Sequence, residues 1–231
     1  MPACRLLGEA GCPMRIANKG FIVPELIAPP VKHTLSAYGV WLFTDKNPTL
    51  KKIKKRVAPS VHGDRHWDSS YLLMDYFSEH RPRKNTRVLD VGCGWGPTSI
   101  FFALQGCKVT GMDVDTDVFP FLDAQADLNA VKVEKLICSM KQMKKKDLAN
   151  YDVIVGGDIC FWDELADEWF AMLKRAASAG VKKLVLADPG RQPFLDLIDK
   201  CDKKWPTEHL IWLALQPKKF EGSLMIVTLN D

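Results

Sequence analysis

From Asp68 onward the apolar positions fall into two alternating patterns. Leu72, Leu73, Tyr76 and Phe77 share one face of a helical repeat that starts behind Asp68, a candidate N-cap, and stops before Pro82. A short, partly β-branched run, Val88 to Val91, then reads as a buried strand. The alternation continues through a helix over 97–105, a strand over 108–112, a helix over 118–129 and a strand over 133–138. A strand over 152–155 leads to the clearest helix of the chain, 163–179. That helix opens on Asp163 and Glu164, carries Lys174 and Arg175 towards its end, and stops at Gly180. A strand over 181–187 and a helix over 193–203 follow. Two strands, 210–215 and 224–229, close the chain across an eight-residue connection, 216–223.

Five strand–helix units of this kind predict an α/β domain with a doubly wound, Rossmann-like, mostly parallel sheet. The terminal pair brings the sheet to seven strands and adds one antiparallel strand in the edge region, with helices on both faces. Before Asp68 the pattern is poor. Pro24, Pro29, Pro30, Pro48 and Pro59 exclude long helices there, leaving a strand over 36–43 and a short basic helix over 51–57. The expected division is an N-terminal extension over 1–65, helping to roof the acceptor site, and a main domain over 66–231.

Composition narrows the class only modestly. The chain has 231 residues, 47% hydrophobic and 26% charged, which suits a soluble globular protein. No apolar run approaches the roughly 18 residues needed to span a bilayer. Arg5, Arg15 and Lys19 are not followed by a continuous apolar core, which argues against a secretory leader. Seven cysteines without a C-x-x-C pair argue against a disulfide framework and a zinc site, so the expectation is a cytoplasmic protein without a metal. The net charge of +4 is mild. The basic runs 51–56 and 144–146 lack interleaved aromatics and read as solvated faces, not base-stacking surfaces.

The chemistry is concentrated where the predicted strands end, because ligands of doubly wound sheets bind outside the carboxyl ends of the strands. The first strand ends in Asp90-Val91-Gly92-Cys93-Gly94-Trp95-Gly96, a glycine turn before a helix. Its G-x-G-x-G spacing is not the dinucleotide fingerprint G-x-G-x-x-G. Seventeen residues beyond Gly96, the next strand ends at Asp113, placed to accept hydrogen bonds from the two hydroxyls of a ribose.

These residues carry a resemblance. VLDVGCGWG followed by VTGMDVD is similar to the cofactor site of class I, seven-β-strand S-adenosylmethionine-dependent methyltransferases, over about residues 66–231. The resemblance implies S-adenosylmethionine as cofactor and S-adenosylhomocysteine as product. It implies a binding set of Trp67, Asp90, Gly92, Cys93, Gly94, Trp95, Gly96, Asp113 and Val114. Ser139 and Met140 stand where many relatives carry an acid for the adenine amine. Asp158-Ile159-Cys160-Phe161 matches the D-x-x-Y/F pattern of the protein-lysine methyltransferase branch that includes the electron-transfer-flavoprotein β-subunit enzyme. It implies Asp158 orienting an amine and Phe161 as channel wall, attracting the cationic amine through its ring face. Gly63 with Trp67-Asp68-Ser69-Ser70 is similar to that group's tryptophan segment, with Asp68 where a proline is common.

The acceptor implied is a lysine of a protein partner. A small-molecule amine is the second reading. A nucleic-acid substrate is disfavoured because N/D-P-P-Y/F is absent, and a non-enzymatic binding module is disfavoured because the glycine loop is intact. Asp188 and Arg191 flank Pro189-Gly190 and read as a structural pair around a tight turn. Among five histidines without metal spacing, His66 is the one expected near the pocket.

Overall fold

The computed structural model describes residues 30–60 and 62–230. The expectations for Pro24 and Pro29, and for the basic N-terminal residues, lie outside the described residues. In chain order the elements are strands β1 (Thr34–Ala37) and β2 (Val40–Phe43), then helices α1 (Pro48–Lys54) and α2 (Ser69–Glu79). Next come β3 (Arg87–Val91), α3 (Pro97–Leu104), β4 (Lys108–Asp113), a 3-10 turn (Thr116–Val118) and α4 (Phe119–Leu128). The second half runs β5 (Glu134–Ile137), α5 (Lys145–Leu148), β6 (Val153–Gly157), α6 (Asp163–Ala179) and β7 (Lys183–Asp188). It closes with α7 (Gln192–Asp202), β8 (Thr207–Ala214) and β9 (Phe220–Thr228).

Seven of these strands form one sheet in the order β5-β4-β3-β6-β7-β9-β8, parallel except for β9, which runs against both neighbours. The antiparallel strand therefore sits one place in from the edge, and β8 forms the edge itself. Side chains along the central strands alternate between two buried layers, which is why these strands read as continuous apolar runs. Leu89, Ile154 and Leu184 point into the layer of α6 and α7, around Trp169, Leu173 and Phe194. Val88, Val155 and Val185 point the other way, against Leu72, Phe101 and Phe102 of α2 and α3. The strand order reverses between β3 and β6, so the carboxyl ends of those two strands flank the crevice.

Three local expectations are corrected. The single strand over 36–43 is a hairpin, β1 and β2 joined at Tyr38 (φ 52°) and Gly39 (φ 82°), the two positive φ values that a type I′ turn needs. The Tyr38 hydroxyl holds that backbone in place by donating to Asp75 while accepting from Leu215 N at 2.9 Å. The basic helix starts earlier than expected, at Pro48, because the Asn47 side chain accepts from Thr49 N at 2.8 Å and caps it. The basic run 144–146 is exposed, as expected, and the buried Leu148 just beyond it anchors the single helical turn α5. The final connection is shorter than expected, 215–219, because Phe220 to Ser223 already pair with β8.

The Asp68 cap also differs. Its side chain makes no capping bond and instead pairs with Lys218 Nζ at 2.8 Å. The first amide of α2, Ser69 N–H, donates to Asp158 Oδ2 at 3.0 Å, across the sheet edge. A residue at the end of β6 thus caps a helix that begins 89 positions earlier.

Candidate active site

The carboxyl ends of β3, β4 and β6 surround a cleft of about 270 Å³. Its floor is the turn after β3, where Gly92 (φ 66°) and Gly94 (φ 51°) adopt left-handed backbone that a side chain would strain. A Cβ built on Gly94 meets no atom within 4 Å, so the space before the loop is open. Asp113 ends β4 beside it. Its Oδ2 accepts from Gly94 N at 3.0 Å and its Oδ1 from Asp115 N at 3.0 Å. Burial raises the Asp113 carboxyl above its ordinary value, while these backbone donors pull it back. Val114, 67% exposed, follows Asp113 and presents an apolar side chain to the cleft.

The opposite wall comes from the segment before α2, where the resemblance points to Gly63 and Trp67 but nothing points to Ser60 or His62. Two acidic side chains of the β4–α4 turn hold it by its backbone. Asp115 Oδ2 accepts from Ser60 N at 2.6 Å, and Asp117 Oδ2 accepts from Ala58 N at 3.1 Å. Gly63 packs so closely that a Cβ there would stand 2.8 Å from Val118. Ser60, His62 and Gly63 consequently line the cleft. Nothing local signals this, because the bonds join residues more than fifty positions apart.

The acceptor end is built at the turn after β6. Asp158 is buried with φ 57°, a strained value for a non-glycine residue. Ser69 N–H holds one carboxylate oxygen, and Arg191 Nη1 lies 2.9 Å from the other. Phe161 stands beside it, with the His62 ring stacked on it at 4.4 Å and the Trp67 ring edge-on at 5.4 Å. Arg191 also lies 4.4 Å from the Phe161 ring centroid. A guanidinium therefore already occupies the ring contact that the sequence reading gave to the acceptor amine. His62, not His66, is the histidine of the cleft. His66 turns away against Trp95 and Gln125, where burial holds its imidazole down to about 4.

The expected site residues divide accordingly. Trp67, Gly92, Gly94, Asp113, Val114 and the pair Ser139–Met140 line the cleft together with Asp158 and Phe161. Asp90, Cys93 and Trp95 border a smaller cavity of about 40 Å³ beside the loop, and Gly96 borders neither. Trp95 is buried, stacked on Phe121 at 4.4 Å, and donates its indole N–H to Gly63 O at 2.9 Å. Cys93 is wedged against Gly111, where a Cβ would stand 3.0 Å from its sulfur. These side chains brace the loop; what the loop presents to the main cleft is backbone. Among the described residues no cluster of three or more His, Cys, Asp or Glu could hold a metal, and no helix is long and apolar enough to cross a membrane.

Asp90 gives a prediction of its own. It is buried below the loop and accepts from the Ser99 hydroxyl at 2.6 Å. Burial pushes its carboxyl up to about 7, with the nearby Asp113 charge adding to the rise and Ser99 opposing it. The folded state therefore holds a proton that the unfolded chain releases between about pH 4 and pH 7. Ionised Asp90 penalises the fold fully above that window and not at all below it. Asp90→Asn should gain on the parent by up to about 4 kcal/mol between acid and pH 8. The melting-temperature difference should grow as pH rises, and a difference independent of pH would contradict the assignment.

The cleft fits a nucleoside. It has an acid at the end of β4 beside an open glycine turn, an apolar side chain next to that acid, and Ser139 and Met140 lining it after β5. Residues 88–180 match the methyltransferase domain family. The electron transfer flavoprotein beta subunit lysine methyltransferase of Danio rerio is 29% identical over 133 residues, 57% of this chain and 51% of that one. The ubiquinone biosynthesis O-methyltransferase of Xylella fastidiosa is 31% identical over 83 residues, 36% of this chain and 34% of the relative. The chain thus spans about half the length, or less, of these curated relatives. The ribosomal protein L11 methylase of Lactobacillus delbrueckii subsp. bulgaricus shares the fold, with TM-score 0.51 and 13% identity over 71% of this chain and 80% of that one. With its cleft, its seven-stranded sheet and a methyltransferase domain match over residues 88–180, this chain resembles the class I S-adenosylmethionine-dependent methyltransferases, and among them the branch of the electron-transfer-flavoprotein β-subunit lysine methyltransferase.

Proposed function

We propose that the protein methylates the side-chain amine of lysine in a protein substrate in the cytoplasm. The observation that carries this reading is the acceptor end of the cleft, where a buried carboxylate, Asp158, stands beside Phe161 within a group of aromatic rings that includes His62, Trp67 and the half-exposed Trp162. The carboxylate, with the Trp67 and Trp162 rings at the same end of the cleft, favours a cationic amine over a phenol or an enol. The relatives named lysine methyltransferase support the same acceptor; the O-methyltransferase relative matches a shorter stretch.

In this reading Asp113 takes the ribose hydroxyls, and the backbone of Gly92 and Gly94 lies along the methionine end. Val114, Ser139 and Met140 border the adenine, and Trp67 closes the cleft from above. The groups that only brace the loop, Asp90, Cys93, Trp95 and Gly96, act on the cofactor through the shape of that loop. The described part of the N-terminal extension supplies one wall of the acceptor site through Ser60 and His62.

When bound, S-adenosylmethionine supplies an electrophilic methyl group on a sulfonium and leaves as S-adenosylhomocysteine. The protein's part is alignment, which can contribute on the order of 7–11 kcal/mol. A lysine must also arrive neutral, and with an ordinary pKa of about 10.4 fewer than about one in a thousand is so at pH 7. Asp158 raises an amine pKa if anything, so it orients the amine through a hydrogen bond; solvent takes the proton.

The test is Asp158→Asn, which keeps the shape and an oxygen for Ser69 N–H. Its affinity for S-adenosylhomocysteine should stay within about threefold of the parent. Transfer of labelled methyl to lysate protein should fall by about a hundredfold, a loss of roughly 2.7 kcal/mol in the transition state. Parent-like transfer, or lost cofactor binding in a folded variant, would refute the role.

A further inference from the structure

Arg191 does more than lock a turn. Its Nη1 reaches Asp158 Oδ1 at 2.9 Å and Asp188 Oδ2 at 2.7 Å, so one nitrogen bridges two buried carboxylates from the ends of two neighbouring strands. Its guanidinium also lies against Phe161. The remaining oxygens are taken by protein donors. Asp188 Oδ1 accepts from Gly190 N and Arg191 N at 2.9 and 2.8 Å, and Asp158 Oδ2 accepts from Ser69 N. Three charges therefore sit at the acceptor wall, two negative and one positive.

Resting on the reading of an amine acceptor, we infer that Arg191 is a positioning residue that acts through Asp158 and Phe161 to let the bound amine lose its proton. An opposite charge within about 4–6 Å shifts a pKa by about 1–3 units. Two unbalanced carboxylates would hold an entering ammonium charged, and each unit upward removes about ninefold to tenfold of the reactive neutral amine at neutral pH. Arg191 cancels one of those charges and occupies the free oxygen of Asp158. The wall keeps enough negative charge to admit a cation and too little to trap it.

The other charged groups around the cluster do not substitute for Arg191. Cys160 lies in the field of Asp188, and burial pushes its thiol far up, so it stays neutral; Cys201 beyond it is likewise raised, to about 12. Glu168 of α6 lines the cleft but pairs with Lys141 Nζ at 2.8 Å. His62 stacks on Phe161, and Asp113 and Asp115 face the cluster across the cleft. His209 of β8 reaches Ser223, behind Asp188, with burial lowering its pKa. Lys218 near the start of α2 is engaged by Asp68.

The experiment follows labelled methyl transfer from S-adenosylmethionine into lysate protein, from about pH 7 to pH 10, for the parent and three variants. Arg191→Gln keeps a planar group without charge. Its rate at neutral pH should fall at least about tenfold and recover towards the parent at high pH, with the rising limb displaced upward by about one unit or more. Arg191→Lys keeps the charge while losing the planar contact with Phe161, so its limb should stay at the parent's position on the pH axis even if its rate is lower throughout. Asp188→Asn removes a negative charge and should move the limb the opposite way. All three should bind S-adenosylhomocysteine within about threefold of the parent by calorimetry.

A Gln limb that coincides with the parent's, or a loss by one constant factor at every pH, overturns the inference and leaves Arg191 a structural brace. A Lys variant as displaced as Gln, or an unshifted Asp188→Asn, does the same. The parent decides the underlying reading separately. If its label enters only small amines, the pH comparison is made on that fraction, and if it labels no amine at all, both readings fall.

Discussion

Asp113→Ala is expected to weaken binding of S-adenosylmethionine and S-adenosylhomocysteine by roughly two to four orders of magnitude. A carboxylate that accepts from both ribose hydroxyls makes two charge-assisted bonds, worth about 1.5–3 kcal/mol each. Their loss amounts to about 3–6 kcal/mol, at a tenfold change in affinity per 1.4 kcal/mol. The same substitution also strips Gly94 N–H of its acceptor at 3.0 Å and Asp115 N–H of its own, so the glycine loop loses its tether. Asp113→Asn, which can still accept through one oxygen, should fall between the two. Titration calorimetry with S-adenosylhomocysteine reads this directly, and an unchanged dissociation constant would remove Asp113 from the ribose.

Gly96→Ala is expected to be the most destabilising single substitution in the loop. Gly96 has φ +79°, and a Cβ built on it would lie 1.8 Å from Leu122 Cδ1, inside the packed contact between loop and α4. Left-handed backbone costs a side-chain-bearing residue about 1–2 kcal/mol, and forcing extra volume into a packed contact costs about 1–3 kcal/mol more. For a chain of this length each kcal/mol is worth about 2–4 °C, so the melting temperature should drop by about 10 °C. Gly94→Ala makes the instructive contrast. Its φ is also positive, yet the space in front of it is open. Its Cβ would project into the open cleft, so cofactor affinity should suffer more than stability. Equal thermal losses at the two positions would show that the loop is not packed as described.

How much of this could be read from the sequence depends on how far apart the interacting residues lie. The central strands were legible because both of their faces are buried, so Val88 to Val91 and, within the expected strand 181–187, Leu184 to Ala187 stand out as largely apolar runs. Helix α6 was legible to the residue, since Asp163 and Glu164 at one end and Gly180 at the other mark its limits locally. The glycine turn and the acid after it were legible because left-handed backbone demands glycine at Gly92, Gly94 and Gly96, and the strand pattern places Asp113 at the end of β4. The wall of the cleft was not. Ser60 and His62 owe their places to Asp115, Asp117 and Phe161, contacts over large sequence distances that leave no periodic trace.

The acceptor wall was half legible. The Asp188–Arg191 pair lies three residues apart and is visible as a turn, whereas the bridge to Asp158 spans 33 positions. The same distance effect misplaced the cap of α2. Asp68 has the right residue type in the right place, yet Asp158 takes the amide because its carboxylate is already fixed there by Arg191. Once both partners are placed, Phe161 changes from an open ring awaiting a cation to a wall that already carries one.

The lysine assignment is tested most directly by sorting transferred methyl groups by chemical class. The protein, supplied with labelled S-adenosylmethionine and a cell lysate, should place label in the protein fraction, and acid hydrolysis should return it as methylated lysine. Asp158→Asn in parallel should leave that pool nearly empty while binding S-adenosylhomocysteine normally. Label confined to nucleic acid, or recovered from oxygen atoms of small molecules, would contradict an amine acceptor at the Asp158–Phe161 wall.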